Sequence, residues 1–111
     1  MNWNGLDRIH DVHHLAEGDD DVVREVQEVL RRHGAEGRLG ITLLHSHFDL
    51  DPDEILVERV DTNSRTLTIT AERASSFEPD QLVPTAWRLD GSQRAAITYC
   101  WRPKDSVFHA R

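Results

Sequence analysis

Between residues 20 and 33 the apolar positions fall at helical spacing. Val22, Val26, Val29 and Leu30 recur three and four apart with His33 beyond them, which predicts a helix with one apolar stripe. Asp19-Asp20-Asp21 supplies an N-cap and places negative charge against the positive end of the helix dipole. Gly34 is positioned to end the helix as its C′ residue. The opposite face carries Glu25, Glu28, Arg31 and Arg32, with Glu28 and Arg32 in the favourable i,i+4 order, and reads as a solvated surface. An earlier helix is predicted over 5–17, with Asn4 as cap, Asp7 at the third helical position and Gly18 as stop.

From Arg38 onward the period changes to two. Leu39, Ile41 and Leu43 alternate with Gly40, Thr42 and Leu44, which predicts a well-buried strand. Residues 55–60 form a second strand, joined through Asp61-Thr62-Asn63-Ser64 to 65–71, where threonines alternate with apolar residues. That pair reads as a hairpin with one wet face. After a loop at Ser75-Ser76-Phe77-Glu78-Pro79 with room for one helical turn, 85–89 and 93–102 make another pair around Asp90-Gly91. A three-residue connection there would put Trp87 and Leu89 on the side of Ala95, Ile97, Tyr99 and Trp101, and the hydrophobic pattern favours that register. Pro103 ends the last strand or leaves it at an edge.

Helices first and hairpins afterwards predict a single α+β domain over 1–111: one antiparallel sheet of four to five strands, with one or two N-terminal helices packed on one face. Later connections are too short for crossover helices, which disfavours a doubly wound parallel fold. If the 20–33 helix lies on the sheet, Val26→Asp buries an unpaired charge and is severely destabilising.

Composition narrows the class of protein. A chain of 111 residues is the size of one domain, and 38% hydrophobic residues with 30% charged ones suit a soluble fold. The formal charge of −7 comes from 20 acidic and 13 scattered basic residues, and argues against a nucleic-acid partner. Cys100 has no second cysteine to bridge, so nothing points to an oxidising compartment. No stretch resembles a signal peptide or a membrane span, and the cytoplasm is the expected location.

The candidate chemistry lies in Leu43-Leu44-His45-Ser46-His47-Phe48-Asp49-Leu50-Asp51-Pro52-Asp53-Glu54. If the strand runs on, His45 and His47 continue the inward row of Leu39, Ile41 and Leu43, with Asp49 next in line. Two imidazoles and a carboxylate suit zinc, iron, nickel or copper. Hydrogen bonding of both rings beneath a loop is the structural alternative. The run His45-Ser46-His47-Phe48-Asp49, after a helix and an apolar strand, resembles the HxHxD core of the metallo-β-lactamase superfamily. That resemblance implies zinc ligation by His45 and His47, and a ligand or base role for Asp49. It departs from the family at Leu50, where a histidine is usual, in lacking a following Gly-Gly, and in being shorter than the two-sheet fold. Asp49, Asp51 and Asp53 imitate the start of an EF-hand loop, but Glu54 stands where glycine is needed and Val60 where glutamate is needed. Those carboxylates read instead as a wet turn around Pro52.

The other histidines add less. His10 and His14, four apart, would share a helix face, either clipping a metal or forming an exposed stripe. His33 would complement the helix C-terminus, and neither His13 nor His109 is assigned a role. Cys100, between Tyr99 and Trp101, reads as a buried inert thiol, and Ser46 points away from both flanking histidines. Trp87, Tyr99 and Trp101 would line an apolar pocket or pack in the core.

Two classes of function remain. One is a small metal- or small-ligand-binding domain, with catalysis left open, that uses His45 and His47 at a pocket; seven histidines favour it. The other is a non-enzymatic interaction module or oligomer subunit with structural histidines. A homodimer that covers a strand edge or an apolar face is expected in either case.

Overall fold

The computed structural model describes residues 3–91 and 93–103. It is an α+β fold with one α-helix, α1 (Asp20–Arg32), and four strands, β1 (Glu54–Asp61), β2 (Thr66–Arg73), β3 (Leu82–Asp90) and β4 (Gln93–Trp101). Short 3-10 turns at Glu17–Asp19, Ala74–Ser76 and Pro79–Gln81 complete the order. No helix among the described residues is long and apolar enough to cross a membrane.

The sheet has the order β2-β1-β4-β3 and is mixed. Both hairpins are antiparallel as expected, but β1 and β4 run parallel, with Val57 beside Tyr99 and Glu58 beside Cys100. The expectation of a purely antiparallel sheet fails for a topological reason. A short connection forbids parallel pairing of consecutive strands, yet β1 and β4 belong to different hairpins, with β2 and β3 between them on the chain, and meet as the two central strands of the sheet. The 74–81 connection then crosses the sheet on the side of Arg59, whose guanidinium lies 5.6 Å from the Phe77 ring centroid.

The β1–β2 turn matches the predicted one, with Asp61 opposite Thr66 and the Asp61 carboxylate accepting from the Asn63 and Ser64 N–H groups. In the second hairpin Asp90 pairs with Gln93, so the connection has two residues rather than three. Gly91 at φ +62° provides the left-handed conformation that such a turn demands. The register that the hydrophobic pattern asked for is adjusted elsewhere: the pairing slips between Pro84 and Ala86 and again between Ala86 and Trp87. These irregularities bring Ile97 and Ala86 into the core while Trp87, Tyr99 and Trp101 stay half-buried.

The core is small. Trp3, Leu50, Leu56 and Ile97 are buried together, with Leu6, Leu44, Ala71 and Ala86 packed against them. One face of the sheet is therefore covered by two irregular segments, the N-terminus and the 44–50 stretch, rather than by α1.

Three expectations are corrected here. The 5–17 helix does not form, because Gly5 sits at φ +87° and the Asn4 side chain pairs with the Leu50 backbone instead of capping. The 39–44 strand does not form either: β1 has β2 on one side and β4 on the other, and Leu39, Ile41 and Leu43 are left exposed. Finally, α1 forms where predicted and ends at Gly34 with φ +66°, but none of its residues is buried. Among the described strands and helices, only the preceding 3-10 turn makes more than slight contact with it. Arg31 pairs with Glu28 rather than Arg32, and Arg24 with Asp21.

Candidate functional site

The stretch from His45 to Glu54 is a loop whose shape follows from one buried hydroxyl. Ser46 is 2% exposed; its Oγ donates to the Leu6 carbonyl at 3.0 Å and accepts from Arg8 at 3.3 Å. Its N–H donates to the Asp7 carbonyl at 2.8 Å, and its carbonyl accepts from the Ile9 N–H at 3.0 Å. Further along, the Asn4 side chain closes a two-way bond with the Leu50 backbone, both distances 2.9 Å. Residues 4–9 and 46–50 are thus zipped together, and the zipper holds Leu50 and Trp3 in the core.

With Ser46 turned inward, its neighbours turn outward. His47 is exposed and His45 half-buried, so neither continues an inward row. The two rings nevertheless meet edge to face, 4.9 Å between centroids and 87° between planes. His45 Nδ1 lies 2.6 Å from the Leu43 carbonyl, which fixes a proton on Nδ1 in the neutral ring and leaves Nε2 as the acceptor. His47 also faces Trp3 at 6.0 Å, and Phe48 meets Trp3 edge-on at 5.3 Å. The Trp3 indole N–H is buried without a hydrogen-bond partner among the described residues.

The third predicted member, Asp49, is turned to Arg8 at 3.1 Å. Two further carboxylates are also engaged: Asp53 pairs with Arg73, and Glu54 accepts from the Asp51 N–H at 2.8 Å. Among the described residues no three histidine, cysteine or acidic side chains stand close enough to hold one metal ion. His10, His13 and His14 lie in exposed, non-helical backbone, His33 caps the exposed end of α1, and His109 lies outside the described residues.

A second polar cluster, on the side of the sheet crossed by the 74–81 connection, was not singled out by the sequence. Arg59 and Glu72 make a two-pronged pair at 2.8 and 3.0 Å, and the guanidinium stacks 4.7 Å over Trp101. The hydrogen bond from Arg59 holds the Glu72 carboxyl below the usual range, helped by the Thr70 hydroxyl at 2.6 Å and opposed by burial. The only available signal was the pairing of β1 with β2, which sets Arg59 opposite Thr68 and Glu72 opposite Ile55 on one face, so that the two meet only by reaching along the strands. Cys100 is half-buried, and burial pushes its thiol up, assisted by Glu58 at 3.1 Å. Both effects favour the protonated thiol over the reactive thiolate.

No family model, curated protein or solved structure matches the chain. The metallo-β-lactamase resemblance stops at the five-residue motif, since the described residues form a single four-stranded sheet.

Proposed function

We propose that the protein is a non-enzymatic protein-interaction module, with its histidines serving local structure. The observation that carries this reading is α1: thirteen residues with an apolar stripe, none of them buried, beside a core built from a handful of side chains. An isolated helix of that length is marginal in water, and helices gain most of their stability by packing an amphipathic face. Val22 and Val29 on that stripe are exposed, and the radius of gyration is 16.0 Å. A compact chain of this length has about 13 Å. A partner laid against the stripe would supply the missing burial. A photo-crosslinking side chain placed at Val29 in cells should join the protein to one defined chain, and the purified pair should dissociate when Val29 is changed to Asp. Equal crosslinking from Val29 and from Gln27 on the solvated face would overturn the reading.

A second reading keeps the ligand site. We propose it on the edge-to-face meeting of His45 and His47, in which the Leu43 carbonyl orients one ring as the hydrogen-bond acceptors behind metal-bound imidazoles orient theirs. A divalent transition metal or a small polar ligand would bind there with further donors from the ligand or a partner. Calorimetry with zinc, nickel, copper and iron(II) tests it. Binding heat that disappears in His45→Ala/His47→Ala supports the site. Lost stability with no binding heat assigns the pair to structure.

A further inference from the structure

The two edges of the sheet are built differently. β3, at one edge, carries Pro84 in mid-strand and two slips of register around Ala86, devices that spoil an edge for pairing with another strand. β2, at the other, has neither. From residue 66 to residue 70 it reads Thr-Leu-Thr-Ile-Thr, uncharged and regular, and every one of the five is exposed. No strand covers its outer side among the described residues. Leu67 (59% exposed) and Ile69 (50%) share a face with Val60 (67%), across from Leu67 in the β1–β2 ladder. They make an apolar strip that the N-terminal cover does not reach.

We infer that the outer edge of β2 pairs antiparallel with β2 of a second copy, joining two four-stranded sheets into one of eight strands about a two-fold axis at Thr68. This inference deepens the interaction reading by naming one partner and the edge it uses. The register follows from the sequence. Side chains alternate faces, so Leu67 and Ile69 share a side with their mates only when facing residue numbers add to an even sum. With the axis at Thr68, Leu67 faces the mate's Ile69, Thr66 faces Thr70 and Thr68 faces itself, all favourable cross-strand pairs with no charge among them. Moving the axis to Ile69 would set Arg65 against Arg73, and moving it to Leu67 would set Arg65 against Ile69. Self-pairing about Thr68 is therefore the arrangement that matches the whole uncharged run to itself, and a two-fold interface must be self-complementary in this way.

The experiment uses the full chain with cysteines introduced on β2. Across the two-fold axis the Cα atoms at position 68 would stand about 4.5–5.5 Å apart, within disulfide range. Those at position 70 would be separated by four residues, about 13 Å, and out of range. Mild oxidation should give a covalent dimer with Thr68→Cys, none with Thr70→Cys, and none with the native chain and its Cys100. In sedimentation the native chain should dimerise, and Thr68→Lys, which opposes two like charges at the axis, should raise the dimer Kd by at least about tenfold. A native chain that stays monomeric at ~100 μM and gives no Thr68→Cys crosslink overturns the inference, while leaving the α1 crosslinking experiment to judge the interaction reading separately. A dimer with equal crosslinking at 68 and 70, or one indifferent to Thr68→Lys, places the interface elsewhere and also overturns it. Because position 68 is exposed and the Thr→Cys change is small, the crosslinking arm stands even if the lysine variant fails to fold.

Discussion

Ser46 shows how much one hydroxyl can organise. Deleting it as Ser46→Ala leaves the part-buried Leu6 carbonyl without its side-chain donor and Arg8 without one of its acceptors, Asp49 remaining. The expected loss is about 1–2 kcal/mol of unfolding free energy, read by urea titration, with faster amide exchange at Ile9 and Leu50 because the zipper loosens locally. The Arg59–Glu72 pair makes a different kind of contribution. Glu72 has a folded pKa below its unfolded one, so the stability that it confers is present above the ordinary carboxylate range and is lost as pH falls through that range toward the folded value. Glu72→Gln should flatten that part of the acid-unfolding curve, and Arg59→Lys, which cannot keep the two-pronged geometry, should cost about 1 kcal/mol at neutral pH. An acid limb identical to the native one would remove Glu72 from the account.

At the level of elements, α1 and the sheet respond to substitution in opposite ways. With no residue of α1 buried, Val26→Asp should cost the isolated chain less than about 1 kcal/mol, where a helix seated on the sheet would have made it severely destabilising. Leu56→Ala, in the core, should cost about 2–5 kcal/mol, and thermal melts of the two variants side by side measure the contrast. The same contrast explains what could be read from the sequence. The α1 stripe, its Gly34 stop and the 61–66 turn are set by residues near one another on the chain, and each was legible from local pattern. Leu39, Ile41 and Leu43 alternate as well as any strand does, but alternation cannot show whether another strand will pair with them. A period of two sets His45 and His47 on one side of the chain, where their rings do meet, but that side is not the inward one. The buried partner turned out to be Ser46, through bonds to Leu6, Asp7 and Arg8 some forty residues away, which no spacing rule encodes.

For the whole molecule, the parallel seam between β1 and β4 has a kinetic consequence. Each hairpin closes a short loop and can form in microseconds, whereas Glu58 and Cys100, side by side at the seam, are 42 residues apart on the chain. The two ribbons should therefore appear early and wait for each other, with the search for the seam setting the folding time. Val57, 0% exposed and opposite Tyr99, sits on that seam. In stopped-flow refolding Val57→Ala should slow the folding limb of the chevron, while Leu67→Ala, at the far end of the first ribbon, should leave it near the native rate and act on unfolding instead. Until the seam closes, the inner edges of both ribbons are as open as the outer edge of β2. Copies of the chain folding close together can then exchange ribbons, β1 of one meeting β4 of another, and refolding yield should fall as protein concentration rises even when the finished fold is stable.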